Sequence, residues 1–350
     1  MDVGSRRQRT NRSKVDVPAD EIAVVEAAYR LDGTEAQWLE GLARAASSQV
    51  TGHCGVAAVS VHVDPAGPRL RKVACSGGRP TLPGAVTEYM RLARPEVLAR
   101  TFGASPCTTI GAVLGEDELE ADPASRVLFD LGIRDAMGVV ALDPAGFLVV
   151  LATYFPKATT LSRTTVSRWS RVASHLAAGF RVRRGLQAAE SHAVPTSPVP
   201  GCEAVLSPNG RLEHAEPAAQ RARAALARAV LNIQTARGPL RREDRDGALQ
   251  AWQGLVAGRW SLVDHVDTDG KRFLVARKND SAAPQLAGVS ALECRVLSAR
   301  ARGLPLKLIA YDLGLSMSCV SKHLHAGMHK LGVSHDGELA ILFNGPSTDG

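Results

Sequence analysis

Residues 290–333 read SALECRVLSARARGLPLKLIAYDLGLSMSCVSKHLHAGMHKLGV, a run divided into three short pieces by Gly303 and Gly314. Ser290 followed by Glu293 fits a capping box, with the serine oxygen meeting a free amide three residues on and the glutamate reaching back. A helix is predicted to start there, burying Leu292, Val296, Leu297 and Ala299 and stopping at Gly303, which tolerates a left-handed cap. Pro305 suits the first turn of a second helix, with Ile309, Ala310 and Leu313 inward and Gly314 at its end. Ser316 is placed to cap a third helix, in which Val320, Leu324, Met328 and Leu331 recur at helical spacing. Ser318, Ser321, Lys322, His325 and His329 fall on its other side. Two helices joined by so short a turn, the second with a polar outward face, have the geometry that places a helix in a DNA major groove.

These residues resemble the LuxR-type (GerE) helix-turn-helix family over 286–343. Leu292, Glu293, Val296, Leu297, Gly303, Lys307, Ile309, Ala310, Leu313, Val320, His323, Leu324, Lys330, Leu331, Gly332 and Val333 keep its pattern with uninterrupted spacing. The resemblance implies that the third helix enters the major groove and that a fourth, about 336–343, helps to form a homodimer on two half-sites. It places Lys307 and Lys330 near phosphates, and Ser318, Cys319, Ser321, Lys322 and His325 near base edges or backbone. The departures remove phosphate donors. Leu306-Lys307-Leu308 replaces Asn-Lys-Glu, Cys319 and Ser321 replace Thr and Lys, and Asp336 replaces an arginine. Gly327 stands where the family has a bulky apolar residue, and glycine within a helix costs about 1 kcal/mol against alanine. Weaker DNA binding than in most relatives is expected, with help from a dimer, a basic tail or a partner such as RNA polymerase.

Working towards the N-terminus, the Pro- and small-residue-rich stretches 187–200 and 279–285 read as linkers. Between them, 201–278 carries a hairpin at Asn209-Gly210, an alanine- and arginine-rich helix, and a second hairpin at Asp269-Gly270. Hairpin, helices and hairpin in so few residues resemble a reduced PAS-like α+β domain; an irregular spacer is the competing reading. Residues 22–186 begin with a helix burying Trp38, Leu39 and Leu42. Strands follow at 56–64 and 69–77, a helical middle, and two apolar strands around Asp143–Gly146. The block closes on an amphipathic helix with Val166, Trp169, Val172, Ala173, Leu176 and Phe180 on one stripe. That order resembles a GAF-like α/β sensor domain, which implies a small-molecule pocket or a dimerising module. The expected architecture is therefore an α+β multidomain chain: GAF-like sensor, small PAS-like domain, and an all-α four-helix LuxR-type domain. Residues 1–21, with Arg6, Arg7, Arg9, Arg12 and Lys14, read as a basic disordered tail, and 344–350 as a second tail.

Composition narrows the function classes. At 350 residues, 45% hydrophobic and 22% charged, the chain can fold as several domains, and its net charge of +7 suits a polyanionic partner. Its longest apolar stretch, Phe147–Phe155, is too short to span a membrane, and a cytoplasmic location is expected. Six cysteines without a C-x-x-C pair argue against a disulfide framework or zinc ribbon. His53-Cys54 raises a metal or redox site, but a small buried hydrophobe is the commoner state of such a cysteine. The acidic cluster Glu116, Asp117, Glu118, Glu120 and Asp122 reads as a solvated loop rather than a metal site. No phosphate-cradling loop, H-E-x-x-H or nucleophile elbow is present, so no catalytic residue, metal or cofactor is assigned. The function expected is a bacterial-type regulator reading double-stranded promoter DNA under control of its N-terminal domains. The alternative is a degenerate helix-turn-helix acting as a protein-interaction module.

Overall fold

The computed structural model describes residues 13–15 and 20–339, except 32, 49–51, 65–66, 144–145, 191–201, 253, 257–259, 267–268, 279–288, 332, 334 and 338. Of the expected disordered tail 1–21, Ser13–Val15 instead form a strand, β1, and Asp20 and Glu21 cap and open the first helix; its other residues lie outside those described. The 279–285 linker and the 344–350 tail lie outside them entirely.

The first block contains α1 (Glu21–Ala28), α2 (Glu35–Ser47), β2 (Gly55–Asp64), β3 (Gly67–Ser76), α3 (Leu82–Leu92) and α4 (Pro95–Gly103). It continues with β4 (Cys107–Thr109), α5 (Ile110–Leu114), α6 (Glu116–Ala121), α7 (Pro123–Phe129), β5 (Asp135–Asp143), β6 (Phe147–Phe155), β7 (Thr159–Leu161) and α8 (Arg163–Glu190). Its five-stranded antiparallel sheet runs β3-β2-β6-β5-β4, and β1 pairs with β7 in parallel. Side chains alternate across a strand. Met137, Val139 and Ala141 thus enter one apolar cluster, and Ala136 and Val140 the other. Both faces of the central strands are covered, which is why β6 reads as a continuous apolar run.

The second block holds β8 (Cys202–Leu206), β9 (Leu212–Ala215), α9 (Pro217–Arg221), α10 (Arg223–Arg237), α11 (Leu240–Glu243) and α12 (Arg245–Ala251). It ends with β10 (Leu255–Val256), β11 (Trp260–Val266) and β12 (Arg272–Lys278). Its sheet runs β10-β11-β12-β8-β9. Counted from the first strand of each, both sheets have the same order, second-first-fifth-fourth-third. The C-terminal block has α13 (Ala291–Ala301), α14 (Leu306–Leu313) and α15 (Met317–Leu331) around Val296, Leu297, Ile309, Leu313 and Val320. Asp336, Gly337 and Leu339 are helical, and the 340–343 part of the expected fourth helix lies outside the described residues.

The closing helix α8 differs from a one-sided amphipathic helix. Between Val172 and Arg183 every residue is buried or half-buried. The second block covers the side that the sequence left to solvent, and one apolar cluster joins Trp38, Trp169, Leu176 and Phe180 to Leu206, Leu226, Trp252 and Leu274. Trp38 stacks on Phe180 with ring centroids 5.5 Å apart, and its indole N–H donates to the Ala28 carbonyl at 3.1 Å. Ion pairs ring this shared core. Arg168 grips both carboxylate oxygens of Asp246 at 2.8 Å, Arg237 reaches Glu26 at 3.0 Å and also Asp264, and Arg241 meets Asp20 at 2.8 Å. Bidentate pairs of this kind fix geometry as well as adding energy.

Where α1 crosses α8, the close approach falls at Gly179. A Cβ there would press on the Ala28 backbone, including its carbonyl carbon at 2.8 Å, whereas one at Gly185, further along α8, would meet nothing within 4 Å. Two alanine substitutions on one helix should therefore act oppositely. Gly179→Ala is expected to destabilise by about 3 kcal/mol through overpacking, and Gly185→Ala to stabilise by about 0.5–1 kcal/mol through helix propensity. Urea unfolding of both variants checks this, and equal effects would contradict the crossing described.

Candidate nucleic-acid interface

The C-terminal helices are set by local chemistry. The Ser290 hydroxyl oxygen accepts the Glu293 amide at 3.2 Å, and the Glu293 carboxylate accepts the Ser290 amide at 2.7 Å. Gly314 takes a left-handed conformation at φ 61°, ending α14, and Ser316 caps α15 by accepting the Cys319 amide at 3.2 Å. Pro305 sits one residue earlier than expected, at the N-cap of α14. Gly327 has a packing reason: a Cβ there would lie 2.7 Å from Leu297 Cδ1 and 3.0 Å from its Cγ. The missing side chain is what lets α15 lie against α13, so the glycine is more than a propensity loss.

The expected contact residues separate into groups. Ser318, Lys322 and His325 are exposed along the outer face of α15, with Cys319, Ser321 and His323 half-buried beside them. The Ser318 hydroxyl shares a 3.0 Å hydrogen bond with that of Ser316. Lys307 is exposed on α14. Lys330 is engaged instead, its ammonium donating to both Glu293 oxygens at 2.9 and 2.8 Å. Asp336, read as a lost phosphate donor, pairs with Arg300, so the substituted residue ties the chain after α15 to α13.

Lys330, and then the Ser290 amide, hold the Glu293 carboxyl at about 2, well below the ordinary carboxylate range. A depressed folded value gives stability that is present above the unfolded value near 4.5 and is lost as pH falls towards 2. The C-terminal helices should loosen across that interval. Glu293→Gln should flatten the loss, as followed by the helical circular dichroism of both proteins; identical acid transitions would remove Glu293 from this role.

A residue that sequence reading passed over seats the domain. The Tyr311 hydroxyl on α14 donates to the Leu249 carbonyl at 2.6 Å, at the end of α12. With its one proton so used, it accepts from His175 Nε2–H on α8, also at 2.6 Å. His175 Nδ1 then accepts from the Tyr29 hydroxyl at 3.0 Å. This single direction of donation requires a neutral imidazole. Burial supplies it by pushing the His175 pKa down to about 3. The only advance signal was an aromatic hydroxyl on the polar side of a short helix. Tyr311→Phe leaves the His175 N–H and the Leu249 carbonyl unpaired, at about 1–3 kcal/mol for such groups. Faster amide exchange in α14, with the protection of β5 and β6 unchanged, is the expected result; unaltered exchange in α14 would show that the contact does not seat the domain.

Residues 288–343 match the model of the family described as bacterial regulatory proteins, luxR family. They form a luxR-family helix-turn-helix domain. The family of this domain is one of regulatory proteins. Comparison with curated proteins found no match. Similar solved structures include a crystal structure of Escherichia coli SdiA, 12% identical, with 84% of each chain covered and a TM-score of 0.26. Another is SdiA in complex with octanoyl-rac-glycerol, 13% identical over 92% of this chain and 88% of that one, with a TM-score of 0.24.

Elsewhere, the residues considered for metal or redox chemistry have structural partners. His53 Nδ1 accepts the Gly55 amide at 2.8 Å and its Nε2 donates to the Ser47 carbonyl at 3.2 Å. Burial raises the Cys54 thiol pKa and takes that of Cys75 to about 11, away from thiolate reactivity. The acidic cluster is a helix, α6, rather than a loop. Glu118 pairs with Arg100 at 2.9 Å, and buried Asp122 caps α7 by accepting the Ser125 amide at 3.1 Å. Beneath α3 and α4 lies an apolar cavity of about 50 Å³, lined by Val59, Val86, Phe102, Val140 and Tyr89, whose buried hydroxyl has no hydrogen-bond partner. Among the described residues, no helix is long and apolar enough to cross a membrane.

Proposed function

We propose that this chain is a transcription regulator that reads promoter DNA with α15 under the control of its first block. The observation that carries the reading is the exposed polar row Ser318, Lys322 and His325 on the third helix of a luxR-family domain. Its apolar row, Val320 and Leu324, is buried in the domain core. Lys322 and His325 reach base edges or backbone, with Ser318 in the same exposed row and half-buried Cys319 and Ser321 closer in, while Lys307 takes a phosphate; base contacts specify sequence and the phosphate contact fixes register. Lys330 supports the capping box and does not carry the interface. A homodimer on two half-sites supplies the affinity that one sparsely charged helix lacks.

Control enters at the apolar cavity, where an apolar molecule with one polar group would satisfy the Tyr89 hydroxyl. Pockets for drug-sized ligands measure roughly 300–1,000 Å³. Such a ligand must therefore lift α3 and α4 from the sheet, and that displacement is the signal passed through the sheet to α8.

The test is selection of genomic fragments by the full-length protein at two salt concentrations. A common sequence should be enriched, and Lys322→Ala should bind it about tenfold more weakly, about 1.4 kcal/mol, with an unchanged unfolding midpoint. Absence of any enriched sequence would overturn the reading in favour of α15 as a protein-contact surface.

A further inference from the structure

A second cationic surface adjoins α15. Between α8, α10 and the α14–α15 turn opens a cleft of about 1170 Å³. Arg163, Arg171, Arg228 and Lys307 line it, and among the described residues no acidic side chain does. Arg163, Arg228 and Lys307 are exposed. Arg171 lies over the Tyr311 ring, 5.8 Å from its centroid. Arg163, Ser167 and Arg171 stand four residues apart along α8, so all three fall on the helix face that lines the cleft. At 1.5 Å per residue the two arginines are separated by about 12 Å, a span of about three or four successive phosphates along a DNA strand. Ser316 and Cys319, from the first turn of α15, form part of the same wall. Arg171 is also felt by Asp246, which Arg168 holds, while Arg163, Arg228 and Lys307 focus a positive field on whatever enters. The cleft is also continuous with the helix proposed to read DNA.

We propose that Arg163, Arg171 and Arg228 of the N-terminal blocks take the phosphates of the strand that flanks α15, so that the DNA interface is built jointly by the helix-turn-helix domain and the body it is docked on. The inference rests on the DNA-binding reading above. It accounts for the poverty of basic residues within the C-terminal domain: phosphate contacts that relatives make from α14 and α15 are supplied here from α8 and α10. The seating of Tyr311 on His175 and Leu249 holds the two halves of the interface in register.

The experiment measures binding of the full-length protein to its selected sequence over a series of salt concentrations, for the wild type, Arg163→Ala/Arg228→Ala and Arg163→Lys/Arg228→Lys. Each phosphate contact contributes about 0.9 to the slope of log affinity against log salt. The alanine pair should flatten the slope by about 2 and weaken binding at low salt by tenfold or more, with the same preferred sequence; the lysine pair should retain the slope. Equal slopes for the wild type and the alanine pair, with binding retained, would overturn this inference and leave the DNA-binding reading standing. Failure of the wild type to select any sequence would remove both.

Discussion

The rest of the structure depends on the enclosure of α8. A helix covered on all sides, as α8 is between Val172 and Arg183, must belong to both layers that cover it, and here the layers carry two sheets of the same strand order. Trp169, Leu176 and Phe180 are buried by residues from both blocks. Each such side chain contributes about 1.5–3 kcal/mol when removed from water. Neither block could part from the other without exposing the same helix, and the arginines that ring the seam, Arg168, Arg237 and Arg241, each hold a carboxylate from across it. Burial of Asp264 raises its pKa, but Arg272 and Arg237 outweigh that cost and hold the group below its ordinary value.

The C-terminal domain joins this body by a different kind of contact. Its core is its own, closed around Leu297, Ile309 and Val320. What docks it is mainly one face of α14 against α8, centred on Tyr311. Under the control proposed above, a small contact between two independently packed units would transmit a shift of α8 as a change of orientation, with α14 following His175 and Leu249 while its own core stays intact.

Much of this was legible in the sequence because it is encoded locally. The Ser290–Glu293 box, the left-handed glycines at 303 and 314, the hairpins at Asn209-Gly210 and Asp269-Gly270, and the two-sided apolar run of β6 each follow from neighbouring residues. What was not legible depends on residues far apart in the chain. A stripe count on α8 cannot reveal that Ala178 and Val182, off the stripe, will be buried in a core shared with a second block. Gly327 looks like a defect until Leu297 is found against it, and Asp336 like a lost donor until Arg300 is found to pair with it. Of the candidate site, Ser318, Lys322 and His325 could be placed on the outer side from helical periodicity alone, and Lys307 from the family resemblance. The engagement of Lys330 required knowing where Glu293 points, and the arginines of α8 and α10 required knowing where the domain docks.

The chain Tyr29, His175, Tyr311, Leu249 contains no net charge, and burial keeps its imidazole neutral down to about pH 3. Its strength is therefore indifferent to ionic strength and to any acidity a cell encounters, whereas attraction between arginines and phosphates weakens with every increment of salt. The joint and the grip thus obey separate variables. If the protein holds DNA as proposed, changes in the ionic surroundings would alter how long it stays there without altering how its parts are mounted through this chain of hydrogen bonds.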